Sequence, residues 1–417
     1  MRTRSLLFSK VMEFVVRAAP ASAGPSHLMS PLRTWTRRRQ LTVLGVFSPF
    51  TGQMSGILNS LCSYSKDCRT NYPSMLHHYS CTMASRKDKN LTDTKKAALQ
   101  VGGGRSLVAF YADNNVVPLP SGHRFPMEKY RATRLMLEED ASMEHILITR
   151  PAPFVSVQEI LLVHEERYLH SILNGSLDKK EQNNIGFPWS PELVNRTRAS
   201  MGGTVAAMHS VMLGLRRAAA NIAGGTHHAF SDHGEGFCIF NDIAIAARVA
   251  LEDYSEKCNL DQPILVIDLD VHQGNGTAKI FEGDDRVITF SIQGANNYPW
   301  RTRMKSDYDV DLPDETGDDA YLAVLSEWLQ KLFTLHKPSL IFFQAGVDAL
   351  REDSFGRLSM SRQGLLQRNN MVYSACLTRS LPLVITMGGG YSRPSDASVV
   401  AHADVYRSAA LRYSAMS

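Results

Sequence analysis

Beyond residue 105 the chain is punctuated by short, wholly apolar runs that give way to helical patterns. Leu107–Tyr111 reads as a first strand, and Ile264–Leu269, Val287–Ser291, Ser339–Gln344 and Leu383–Met387 as later ones. Helical periodicity occupies 126–139, 157–173, 191–219, 239–253, 319–335, 361–380 and 396–413. A strand that is apolar on both sides of its pleat must be covered on both faces. Alternation with helices supplies that cover, so the pattern predicts a three-layer α/β domain of roughly 310 residues around a parallel sheet. There is no internal repeat. No apolar run approaches the roughly 18 residues of a membrane-spanning helix, so no membrane association is expected.

Charge divides the chain in two. Residues 1–104 hold 15 Lys/Arg against 4 Asp/Glu, and the remaining residues hold 30 against 37. The basic excess therefore belongs to the N-terminal segment, and the mildly acidic body gives no reason to expect direct nucleic-acid binding. From 1 to about 70 the chain is rich in Arg, Ser and Leu, and its only acids are Glu13 and Asp67. That is the composition of an organellar transit peptide, which predicts a mitochondrial or chloroplast location. Met83 opens a polar stretch that could start a second form, one left in the cytoplasm or nucleus. Residues 85–104 are Lys-rich, end in three glycines and read as a linker. The division expected is thus a basic targeting segment over 1–104 and a folded α/β domain over 105–417. The six cysteines form no CxxC pair, which argues against a disulfide scaffold or a four-cysteine zinc site.

In open parallel sheets ligands bind outside the carboxyl ends of the strands, and four strand ends here carry unusual residues. Ile264–Val266 runs into Ile-Asp-Leu-Asp-Val-His-Gln-Gly-Asn-Gly over 267–276. Strand alternation puts Asp268, Asp270 and His272 on one face. Such a set costs several kcal/mol per buried charge unless it is paired or bound to metal. A second strand delivers Asp348. With Asp270 and His272 it completes three ligands and an open position, the catalytic zinc pattern. A third end carries Gly224-Gly225-Thr226-His227-His228, where Asp268 and Asn275 could each orient one imidazole, making a general base. The fourth end, Gly388-Gly389-Gly390-Tyr391, offers a phenol that could donate to a developing oxyanion.

The motifs GGTHHAF (224–230), GFCIFND (236–242), IDLDVHQGNGT (267–277), QAGVDAL (344–350) and GGGY (388–391) resemble those of the zinc-dependent histone deacetylase family, in the family's order. The resemblance covers about residues 106–413. LPSGHRFPMEKY at 119–130 is similar to the first active-site loop of bacterial-type and class IV-like members. It implies the arginase/deacetylase fold, with a mostly parallel eight-stranded sheet in an α/β/α sandwich. It implies Zn2+, with Fe2+ as the other metal such ligands tolerate, on Asp270, His272 and Asp348. His227 and His228 match the family's tandem histidines, partnered by Asp268 and Asn275, and Tyr391 its transition-state tyrosine. Many class I members have Asp where Asn275 stands, so the second imidazole should be less polarised here. Phe237, Tyr298 and Phe355 match walls of the acyl-lysine tunnel. A structural K+ is implied at Asp268, Asp270, His272 and Ser291, and a second monovalent site near Phe281 and Tyr308.

The activity so implied is hydrolysis of N-acetyl-lysine in a histone or another protein, releasing acetate. His228 would serve as general base, and His227 would assist in the electrostatics or protonate the leaving amine. Alternatives are a deacylase of small acetylated amines or of longer acyl groups, and a silent scaffold. A binuclear manganese ureohydrolase of the same fold would need acids where Gly274 and Gly346 stand. Oligomeric state and partner complexes are not legible.

Overall fold

The computed structural model describes residues 91–255 and 262–415. The transit-peptide segment, Met83 and Cys258 fall outside them. In chain order the elements are α1 (Asp93–Val101), β1 (Leu107–Tyr111), α2 (Lys129–Glu138), β2 (Leu147–Pro151), α3 (Val157–Ile160), α4 (Glu166–Asn174), α5 (Lys179–Ile185) and α6 (Pro191–Met212). They continue as β3 (Ala218–Ile222), α7 (Asp242–Asp253), β4 (Ile264–Asp268), α8 (Asn275–Ile280), β5 (Val287–Gly294) and β6 (Tyr308–Leu312). The last are α9 (Asp318–His336), β7 (Leu340–Gln344), α10 (Arg362–Leu377), β8 (Leu383–Thr386) and α11 (Asp396–Ser414). The eight strands form one sheet in the order β2-β1-β3-β8-β7-β4-β5-β6, and every pairing is parallel.

Strand alternation sorts the core into two layers. Leu265 and Ile267 of β4 pack with α9, α10 and α11 on one face. Val266 and Ile264 pack with α6 and α7 on the other. This is the expected three-layer sandwich. No described helix is long and apolar enough to cross a membrane.

Several elements depart from the pattern read in the sequence. The helix expected over 191–219 stops at Met212, and the last two residues of that range already belong to β3. Ser190 caps α6 by accepting the Leu193 N–H at 3.1 Å, Pro191 opens it, and Gly214 at φ +70° follows its end. The run Ala-Ala-Ala-Asn-Ile then forms β3, fully buried between β1 and β8. Alanine favours helix, but a slot between two strands overrides that preference, and small side chains fit beneath α6. The helical stretch over 157–173 is split into α3 and α4, with Ser156 and Glu159 forming a reciprocal capping box on α3. β2 and β6 are edge strands with partly exposed faces, so they lack the apolar run that marks the central strands.

Residues 93–101, expected as linker, form a helix. Thr92 caps α1, Thr94 and Ala98 are buried, and the Thr94 hydroxyl donates to Glu159 Oε1 at 2.6 Å.

Candidate active site

β3, β8, β7 and β4 are adjacent in the centre of the sheet. Their carboxyl ends supply His227 and His228, Tyr391, Asp348, and Asp268 through His272 respectively. Residues spread over 165 positions of sequence thus meet because four neighbouring parallel strands all end at the same edge.

The ligand atoms of Asp270, His272 and Asp348 lie within 4.8 Å of one another, and all three residues are buried. His272 Nδ1 is 2.9 Å from Asp270 Oδ1 and 3.1 Å from Asp348 Oδ2. The outward carboxylate oxygens are fixed by backbone: Gly389 N–H donates to Asp270 Oδ2 at 2.7 Å, and Val271 N–H to Asp348 Oδ1 at 2.9 Å. Burial opposes a charged His272, yet its hydrogen bonds to the two carboxylates overcome that and raise it to about 10. Two buried carboxylates converging on one imidazole nitrogen mark a site short of positive charge, and a divalent cation on these three side chains supplies it. The donor set fits a catalytic zinc or ferrous ion.

His227 Nδ1 is 2.7 Å from Asp268 Oδ2. Burial works against its charge, but Asp268 and Asp270 outweigh burial and raise it to about 9. His228 goes the other way. Burial, then the neighbouring His227 and His272, pull it well below its ordinary value. Its tautomer follows from Asn275. The Asn275 Nδ2 group donates to Glu235 Oε1 at 2.6 Å and to Thr302 O at 2.9 Å, both acceptors, so Asn275 Oδ1 must face His228. His228 Nδ1, 2.7 Å from that oxygen, therefore carries the proton. Its Nε2 keeps a free lone pair, the form a general base needs.

A cavity of about 710 Å3 opens onto His228 and His272 and is walled by Phe237, Tyr298, Phe355 and Tyr391. The Tyr298 ring meets His228 edge-on at 4.9 Å, and Phe355 lies 4.8 Å from Tyr391. Burial, with Asp270 and Asp348 nearby, pushes the Tyr391 hydroxyl well up, so it stays protonated as a donor. Of the residues expected at the K+ site, Asp268 and Ser291 are register partners across β4 and β5. The buried Ser291 hydroxyl has no hydrogen-bond partner. Phe281 and Tyr308 pack in different layers of the core, on opposite faces of the sheet.

Four residues that support the site were not singled out in the sequence. Asp353 accepts the backbone N–H of Phe355 at 2.8 Å and of Tyr391 at 2.6 Å, setting both cavity walls. Asp242 accepts from Gly225 N, Thr226 N and the Thr204 hydroxyl, which holds the turn before the histidines. Lys129 is fully buried and donates to Gly388 O at 3.3 Å and Gly390 O at 3.1 Å. Burial lowers it to about 8, with Asp348 and Asp353 limiting the fall. Glu235, the fourth, stands behind Asn275. Taken singly in the sequence, each could be a solvated charge; Asp242, Lys129 and Glu235 are buried, and Asp353 is half-buried and bonded to backbone.

The sequence pattern of the histone deacetylase domain matches residues 123–404. An uncharacterized protein of Picosynechococcus sp. is 41% identical over 300 residues, 72% of this chain and 97% of its own. Histone deacetylase 2 of Arabidopsis thaliana is 30% identical over 287 residues, 67% of this chain and 72% of its own. The chain belongs to the histone deacetylase family. It is accordingly a hydrolase of the deacetylase class, and the buried Asp/His/Asp set suits a metal-dependent member. The crystal structure of an HDAC homolog from Aquifex aeolicus shares the fold, with a TM-score of 0.62, 22% identity, and 75% of this chain and 85% of that one covered.

Proposed function

We propose that the chain hydrolyses the amide of N-acetyl-lysine in protein substrates, using zinc or ferrous iron held by Asp270, His272 and Asp348. When bound, such an ion polarises the amide carbonyl and acidifies a water. The rest is done by this chain's side chains. Phe237, Tyr298 and Phe355 hold the acyl-lysine stem and exclude bulk water. His228 Nε2 takes the proton of the attacking water. His227, kept cationic by Asp268, stabilises charge and protonates the departing amine. Tyr391 donates its hydroxyl to the developing oxyanion. A K+ ion at Asp268, Asp270, His272 and Ser291 would tie β4 to β5 beneath the site, satisfying the Ser291 hydroxyl.

The observation that carries this reading is the His228–Asn275 hydrogen bond. It leaves a neutral imidazole with its basic nitrogen free beside an Asp/His/Asp ligand set. The test is hydrolysis of an acyl-lysine peptide panel by the metal-loaded full chain. Acetyl, longer acyl and small N-acetyl amine substrates are included, with Asp270→Ala and a chelator as controls. Turnover of acetyl-lysine that vanishes in both controls is expected. A preference for the small amines would replace protein with metabolite as substrate, and no turnover at all would leave a binding role.

The basic, acid-poor segment ahead of residue 70 supports delivery to an organelle, with Met83 starting an untargeted form. Sequencing the mature N-termini from organellar and soluble fractions should give two ends. A single end in both would sink the second start.

A further inference from the structure

The Asn275 amide is a weaker partner for an imidazole than a carboxylate, because it carries no charge. The structure nevertheless has a carboxylate one step further back. Glu235 is 7% exposed, and its Oε1 accepts the Asn275 Nδ2–H at 2.6 Å and the Thr302 hydroxyl at 2.9 Å. No basic side chain forms an ion pair with it among the described residues. A carboxylate this deep costs several kcal/mol unless its hydrogen bonds repay it, so its position calls for an explanation.

The local backbone shows how it gets there. Gly236, at φ +57°, lies flat against His228: a Cβ on it would stand 2.7 Å from His228 Cδ2 and 3.0 Å from Tyr298 Cε1. Glu235 and Cys238 form an isolated bridge across this turn. The turn sends Phe237 into the cavity wall and Glu235 behind Asn275. One tight loop thus sets both the front of His228's surroundings and the back.

We propose that Glu235 is a positioning residue for His228. With Thr302 O it holds the Asn275 amide with its oxygen toward His228 Nδ1, and it alone places a negative charge at the far end of the chain His228–Asn275–Glu235. No proton crosses the amide. Glu235 acts by fixing the imidazole tautomer and by stabilising the positive charge that His228 acquires on taking a proton. The carboxylate that Asn275 lacks is thereby supplied from a different segment. This rests on the reading of His228 as general base.

Two variants of the full chain separate charge from orientation. Glu235→Gln keeps an acceptor for Asn275 and removes the charge, while Glu235→Ala removes both. By the usual effect of losing a supporting partner, kcat should fall about tenfold in E235Q and further in E235A. The loss should lie in kcat rather than KM. Glu235 also faces the Tyr298 hydroxyl, so a role through the cavity wall alone would instead raise KM and spare kcat, which would overturn the proposal. An imidazole 15N spectrum of the folded proteins gives a second readout. His228 should keep its proton on Nδ1 in E235Q; in E235A only Thr302 is left to hold the Asn275 amide, and part of the population should shift to the Nε2 tautomer. Wild-type kcat in E235Q, or one unmixed tautomer in E235A, would also overturn it. If His228→Ala retained wild-type turnover, the general-base reading itself would fall, and that failure would be distinct.

Discussion

Asp270 and Asp348 share the same nitrogen of His272, and each has its other oxygen tied down by a backbone N–H. These bonds fix the three side chains in one converging arrangement, which lowers the cost of binding an ion there. Tyr391 is positioned with equal economy. Asp353 fixes its backbone, and the Lys129 ammonium lies 4.8 Å from its ring centre. If its hydroxyl donates to the oxyanion, Tyr391→Phe should lose about 3 kcal/mol of transition-state stabilisation, seen as a hundredfold-scale fall in kcat. An unchanged kcat would remove that role. At this scale much was legible in the sequence. Asp268, Asp270 and His272 stand two apart at a strand end, where buried charge has few explanations. Glu235 and Lys129 lie in or beside quoted motifs, but the sequence did not single them out, because a lone Glu or Lys usually faces solvent.

The elements contribute through where they stop. The loop after β8 approaches the ligands so closely that only glycine fits. A Cβ on Gly389 would stand 1.8 Å from Asp348 Oδ2 and 2.9 Å from Asp270 Oδ2. Gly389→Ala must push the carboxylates apart, so metal affinity should drop by about ten- to hundredfold. Metal titration checks this, and wild-type affinity would contradict it. The same scale shows why boundaries were harder to read than central strands. β4, β5, β7 and β8 are buried on both faces and read as apolar runs. β3 is just as buried, but alanines build its start, so pattern and propensity extended the preceding helix into its first two residues. α1 lies in a stretch whose lysines suggested a linker, although Thr94 and Ala98, four apart, dock it to the body.

The whole molecule is held by two apolar layers that keep several histidines neutral. Burial lowers His164 to about 3 and His209 to about 4. His164 Nε2 accepts the Asn241 backbone N–H at 2.9 Å, and protonation would break that bond. Unfolded histidine takes up a proton near pH 6.5, whereas these two stay bare far below it. Stability should therefore be full above pH 6.5 and fall as pH drops toward 4, each histidine adding up to about 1.4 kcal/mol per pH unit. Urea midpoints across that range should show the slope, and His164→Gln should flatten it by about one proton. An identical slope in the variant would place the acid sensitivity elsewhere.

The alternation of apolar central strands with helices, the Asp/His/Asp set, the tandem histidines and the family resemblance were all legible in local sequence. Apolar runs and closely spaced charges carry their meaning within a few residues. The three-dimensional structure alone decided the rest. Sheet order brings β3, β8, β7 and β4 side by side, and two parallel strands pair through connections whose length hides which neighbour they choose. The same long-range packing seals Glu235 behind Asn275 and Lys129 beneath Tyr391. A residue's burial depends on what the distant chain lays over it, and no local pattern records that.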